Sequence, residues 1–221
     1  MSDLAETIRA ALAAGGDPDR APGQQAYMKS TMPFYGVPLQ EVRGLTKVAA
    51  TGVTDAAALR ATAVELWDAA SRREERYAAM HLLGQRALRA DPEVLPIVEH
   101  MVRTGRWWDI TDELAHRIAE ALDARPVETT ALVRKWSVDQ DFWMRRIAIL
   151  SQLGRRDRVD PALLAAVLGP NTDDPEFFIR KSIGWALRDY ARVAPDWVRA
   201  YVEGTPLSPL SRREALKHLS G

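Results

Sequence analysis

The sequence predicts an all-α fold built from repeated helix pairs, and three observations carry that reading. Apolar residues recur at helical spacing along the chain, and no stretch alternates as a half-buried strand would. Helix starts also recur. Asp91-Pro92, Asp160-Pro161 and Asp174-Pro175 each set an N-capping side chain before a proline at the first helical position, where the missing N–H costs nothing. Third, the segments beginning at residues 72, 107, 142 and 177 are related. They read RREERYAAMHLL, WWDITDELAHRI, FWMRRIAILSQL and FFIRKSIGWALR, 35 residues apart, and three open on an aromatic pair. Each is expected to follow a shorter helix. Such a pair cannot bury its apolar face alone, so neighbours stack as an α-solenoid of HEAT-like type, the second helices lining a concave surface.

Taken in order, the N-terminal MSDLAETIRAALAAGG is polar-capped and amphipathic, which gives a helix near 2–14. Further helices are expected near 20–31, 38–49, 54–70 and 72–88. Asp91-Pro92 opens 92–103, and the tryptophan-rich segment forms 106–122. Pro126 opens 127–137, followed by an aromatic and basic helix over 139–153. Asp160-Pro161 opens 160–168 and Asp174-Pro175 opens 175–192. Pro195 opens 195–220, which Pro206 and Pro209 should break. These make one domain over 1–221, its first helices capping the stack.

Composition narrows the chemistry. There is no cysteine, so disulfides and thiolate zinc sites are excluded, and His81, His100, His116 and His218 have no metal-like spacing. No metal is expected. The N-terminus has neither a signal peptide nor a membrane-length apolar run, so a cytoplasmic protein without membrane contact is expected. The formal net charge is zero, split as about +3 over residues 141–221 and about −3 before them. Any electrostatic footprint must therefore come from cations gathered on one face.

One helix carries an oddity. In FFIRKSIGWALRDYA (177–191), Ile179, Ile183, Leu187 and Tyr190 fall on one face at 100° per residue. Trp185 lies roughly opposite, with Lys181 and Arg188. An aromatic plane between cations is a poor core and a good platform for something anionic. In WWDITDELAHRI, Trp107, Ile110, Leu114 and Ile118 form the core stripe, with Trp108 at its edge. Asp112, one turn after Trp108, stands on that tryptophan's side, away from the stripe. Arg146 sits among Phe142, Trp143, Ile149, Leu150 and Leu153. It either pairs with a carboxylate or lines a groove and reaches an anion. Tryptophan faces attract cations, a carboxylate stabilises developing positive charge, and arginine grips phosphate. A cationic group beside a phosphodiester answers all three.

Five segments take the reading further. AYMKSTMPFYGV (26–37), RWWDITDELA (106–115), FWMRRIAIL (142–150), EFFIRKSIGWALRDYA (176–191) and PLSPLSRREALKHL (206–219), in register over nearly the whole chain, closely resemble the AlkD-like family of DNA alkylation repair proteins. The resemblance implies a HEAT-like repeat DNA glycosylase with a concave DNA-binding face. Its substrate would be double-stranded DNA carrying cationic N3- or N7-alkylated purines, such as 3-methyladenine or 7-methylguanine. It would hydrolyse the N-glycosidic bond without flipping the base into a pocket, without cofactor or metal, as a monomer in the cytoplasm that joins the nucleoid when acting on DNA. The family's catalytic aspartate falls on Asp112, the tryptophan one turn earlier on Trp108, its second aromatic on Trp185 and its arginine on Arg146.

Other basic residues are candidates for phosphate contact: Lys181, Arg188, Arg212, Arg213 and Lys217, with Tyr27 and Lys29 in the N-terminal segment. Each also reads as a solvated surface group. Trp108 alone reads equally as packing, Asp112 as a solvated helix residue, and Arg146 as an ion-pair partner. Arg155, Arg156 and Arg158 read as a polar loop. Two other functions fit a helical repeat: a non-catalytic binder of distorted or branched DNA, and a protein-interaction scaffold.

Overall fold

Side-chain capping sets several helix starts in the computed structural model, which describes residues 2–219. In the first part of the chain the helices are α1 (Asp3–Ala14), α2 (Ala21–Met28), α3 (Leu39–Ala49), α4 (Ala56–Asp68) and α5 (Arg73–Leu82). They continue as α6 (Val94–Gly105), α7 (Trp108–Ala124), α8 (Pro126–Trp136), α9 (Phe142–Leu150), α10 (Pro161–Leu168), α11 (Phe177–Tyr190), α12 (Pro195–Gly204) and α13 (Pro209–Leu216). No strand occurs among the described residues. The Ser2, Asp55, Asp141 and Asp160 side chains each accept from the first turn of the helix they precede.

Several expectations change in detail. Asp91 does not cap a helix at Pro92. It accepts from the Glu93 N–H at 3.0 Å and pairs with Arg60, and α6 starts at Val94. Asp174 likewise stands two residues before the cap. It accepts from the Glu176 N–H at 2.8 Å, and Glu176 caps α11. The first helix of a pair is not always the shorter, since α4 has 13 residues and α5 has 10. The proline-rich break splits the last predicted helix into α12 and α13, with Ser208 capping the second.

Contacts within the chain divide it into two units, Met1–Ile97 and Val98–Gly221. In the first, α5 packs on α3 and α4, and α1 packs on α3, α4 and α5. A buried carboxylate shapes the segment after α2. Glu74 accepts from the backbone N–H groups of Tyr35, Gly36 and Val37 at 3.0, 2.9 and 3.1 Å. Gly36 has φ +94°, and a Cβ there would lie 2.0 Å from the Asp17 carbonyl oxygen, so only glycine fits.

In the second unit α7, α9, α11 and α13 lie side by side in that order; α8 and α10 pack on each other in a second row against α7 and α9, and α12 packs on α11 and α13. Three helices of the first row, α7, α9 and α11, are repeated segments, and α13 extends the row beyond them. The stripe Ile110, Leu114 and Ile118 is fully buried, as are Ile179, Ile183 and Leu187. Burial of each such side chain contributes roughly 1.5–3 kcal/mol, which is what keeps the rows together.

Candidate nucleic-acid interface

The first row supplies the site, and its register is set by where each helix begins. Arg106 takes a left-handed φ of 42° after α6, and the chain then runs extended through Trp107. Trp107 thereby becomes the residue before α7 rather than part of its stripe. Its ring lies 6.2 Å from Trp143 and 5.8 Å from Phe178, centroid to centroid. The repeat phase shifts by one residue here, because α7 begins at Trp108 while α9 and α11 begin at Phe142 and Phe177. Asp112, Arg146 and Lys181 are then the fifth residues of successive neighbouring helices.

That register brings Asp112 and Arg146 together. The guanidinium donates through Nε and Nη2 to the two carboxylate oxygens at 2.8 and 2.9 Å. Its remaining terminal nitrogen, Nη1, donates to the Phe178 carbonyl of α11, with the Phe178 ring 5.8 Å away. Three neighbouring helices are thus tied through one side chain. Of the two possibilities open for Arg146, the structure selects the carboxylate. The Arg146 side chain is 4% exposed and Asp112 14%, so Asp112 is not the solvated helix residue its position suggested. Burial raises the Asp112 carboxyl above its ordinary value. The Arg146 hydrogen bonds and charge oppose that shift, Asp109 adds to it and His116 opposes it.

Trp108 is the first residue of α7, half-buried, one turn before Asp112. Trp185 is half-buried on α11 while Ile183, Gly184, Ala186 and Leu187 around it are buried, so it stands off the core stripe as its spacing predicts. Tyr190, the last member of that stripe, turns edge-on to Trp197 of α12 at 5.3 Å.

The cations beside Trp185 are not free. Lys181 Nζ and an Arg188 terminal nitrogen each lie 2.8 Å from an oxygen of Glu214 on α13. The Lys181 hydrogen bond leads the causes that hold the Glu214 carboxyl below its usual range, with Arg188 and Lys217 adding their charges. Glu214 was not singled out from the sequence. The one signal for it is Gly184, where a Cβ would stand 2.5 Å from the Glu214 Cβ and 2.8 Å from the Ser211 carbonyl oxygen. Gly184 lets α13 lie close on α11, and Ser211 Oγ donates to the Arg180 carbonyl at 2.9 Å across the same contact.

The remaining candidates are spread out. Arg212 donates to the Val202 carbonyl at 2.8 Å and lines a cleft of about 190 Å³ between α12 and α13. Arg213 and Lys217 are exposed. In the first unit Tyr27 is 76% exposed near the end of α2, and Lys29 caps that helix with a left-handed φ of 48°. The arginine cluster after α9 is more than a polar loop. Arg155 is buried, bonds Gln152 Oε1 at 2.7 Å and, with Arg158, pairs with Asp123 at the end of α7.

Comparison with known proteins gives a consistent answer. A predicted DNA alkylation repair enzyme from Enterococcus faecalis is similar over 93% of this chain and 97% of its own, at 28% identity and a TM-score of 0.84. AlkD2 from Streptococcus mutans shares the fold at 19% identity and a TM-score of 0.66, over 83% of this chain and 91% of that one. The smu.31 protein of Streptococcus mutans UA159 does so at 20% and 0.62, over 81% and 92%. No curated protein matches the chain by sequence. The family model described as DNA alkylation repair enzyme matches residues 8–219, and the chain belongs to that family.

Proposed function

We propose that the protein is a monofunctional DNA glycosylase that excises cationic N3- and N7-alkylated purines, of the 3-methyladenine and 7-methylguanine type, from double-stranded DNA. One arrangement carries the reading: the Trp108 ring and the Asp112 carboxylate one turn apart on α7, with the carboxylate oriented by Nε and Nη2 of Arg146.

An N3- or N7-alkylated purine carries a formal positive charge. When its C1′–N bond breaks, the bonding pair goes to the ring, the base leaves neutral, and positive charge passes to the deoxyribose. Asp112 stabilises that oxocarbenium-like sugar. Each of its oxygens already accepts one N–H from Arg146 and keeps lone-pair capacity for a water. The water oxygen adds to C1′ and its proton is lost, leaving free base and an abasic site. Trp108 and Trp185 offer their faces to the cationic purine, an attraction worth about 0.5–2 kcal/mol each. Base and tryptophans can meet at the duplex surface, so the base need not be drawn into a pocket. Arg146 acts here as the residue that positions Asp112. Phosphate contact is left to exposed cations such as Arg213 and Lys217, and to Tyr27 and Lys29. The protein would act as a monomer in the cytoplasm, on the nucleoid.

The test is release of free base from duplex DNA carrying a single 7-methylguanine, with melting temperature and DNA affinity measured in parallel. Wild type releases base, and Asp112→Asn, folded and binding DNA, loses on the order of 100-fold or more in rate. Borohydride traps no enzyme–DNA adduct. No release by wild type with binding intact would leave a binder of DNA structure, a reading the Asp112–Arg146 tie also fits. Absence of salt-dependent affinity would leave a protein scaffold.

A further inference from the structure

The cations flanking Trp185 converge on a carboxylate, and the proposed reaction has no use for it. Lys181 and Arg188 sit two turns apart on α11, and Glu214 bridges them with one oxygen each at 2.8 Å. Lys217 adds its charge from the end of α13. The position is built rather than incidental, because Gly184 removes the Cβ that would collide with Glu214, and Ser211 fastens the crossing. The Glu214 side chain is 12% exposed, whereas Lys181 keeps 40% and Arg188 20%. The carboxylate is therefore more deeply set than either cation, and both cations reach solvent.

We propose that Glu214 is a resident counter-anion at a phosphodiester-binding site formed by Lys181, Arg188 and Lys217, and that it holds down the affinity of the protein for undamaged DNA. The proposal rests on the DNA-binding reading above and names a specificity-determining residue within it. With Glu214 ionised the four side chains carry a net charge of +2, and without it +3. A phosphate approaching from the exposed side meets cations whose field is partly cancelled, and it meets a like charge behind them. Partial cancellation suits a protein that must leave the many undamaged sites quickly, since phosphate contacts carry no lesion information.

The experiment measures affinity for an undamaged duplex against salt concentration for wild type, Glu214→Gln, Glu214→Ala and the Lys181→Ala/Arg188→Ala pair, with thermal melting of each. Freed of two ion pairs and one repulsion, Glu214→Gln binds undamaged DNA about three- to thirtyfold tighter at low salt, and the gain shrinks as salt rises. In the Lys181→Ala/Arg188→Ala background the same change gives a clearly smaller gain, because the two ion pairs it breaks are already gone and only the repulsion is removed. Unchanged or weaker binding by folded Glu214→Gln overturns the proposal and leaves the DNA-binding reading standing. Unfolding of both Glu214 variants also overturns it, since the carboxylate would then be architectural. No salt-dependent binding by wild type removes both together.

Discussion

Two carboxylates of the second unit answer the same problem in opposite ways. Asp112 and Glu214 each lie between helices of the first row, and each is held by arginine or lysine from the neighbouring helix. Asp112 is held by one planar fork whose three nitrogens are all committed, with the cation itself 4% exposed. Glu214 is shared between two cations that reach solvent. Burial dominates at Asp112 and raises its carboxyl, while the Lys181 hydrogen bond dominates at Glu214 and lowers it. A bidentate pair out of water fixes geometry, at a desolvation cost that the attraction only partly offsets. A pair at the surface fixes little and remains available to a competing anion. The first arrangement suits a group that must point at a reacting sugar, the second a group that must yield to phosphate.

The comparison breaks first at Arg146. Arg146→Ala leaves Asp112 buried without its partner, and chemical denaturation should show a loss on the order of 3–5 kcal/mol. Arg146→Lys keeps the charge but not the fork, so it should recover part of the stability and little of the base-release rate. If Arg146→Ala melted like wild type, Asp112 would be oriented by something other than this pair. Next comes Gly184→Ala, which drives a methyl group into Glu214 and Ser211. Overpacking of this kind costs about 1–3 kcal/mol and should separate α13 from α11, with faster amide exchange across residues 209–216. A silent Gly184→Ala would mean that the two helices can part without cost.

The smallest effect is the acid response. Glu214 and Asp139, the latter held down chiefly by its hydrogen bond from Arg103, have folded-state values below their unfolded ones. Their contribution to stability is complete above the unfolded carboxylate range near pH 4 and is lost as pH falls through the lower folded values. Asp112 has the opposite sign, because a raised carboxyl binds its proton more readily in the folded state, so acidification through that range favours folding there. Melting temperature should therefore fall below about pH 4, and Glu214→Gln should flatten that fall. An equally steep fall in the variant would place the acid sensitivity elsewhere.

Much of this was legible in the chain. Helix starts at Ser2, Asp55, Asp160, Pro126 and Pro195 follow from one or two side chains acting on the nearest backbone, and such chemistry is local. The stripes Ile110–Leu114–Ile118 and Ile179–Ile183–Leu187 follow from helical geometry alone, as does the exclusion of Trp185 from the second. Asp91 and Asp174 show where locality fails. Each carries the cap signature, yet each is drawn into an ion pair, with Arg60 and Arg145 respectively, and the helix begins later.

The all-α class, the repeat with its spacing near 35 residues, and a small set of residues ill suited to a core are all written along the chain, because periodicity, capping and composition are properties of neighbouring residues. Which charge meets which is set by packing between helices. Whether Arg146 meets a phosphate or Asp112 depends on how α7 and α9 pack side by side. Whether Lys181 and Arg188 stand free depends on how closely α13 crosses α11 at Gly184. Partners 26 to 34 residues apart are joined by packing between helices, and no local pattern encodes that distance.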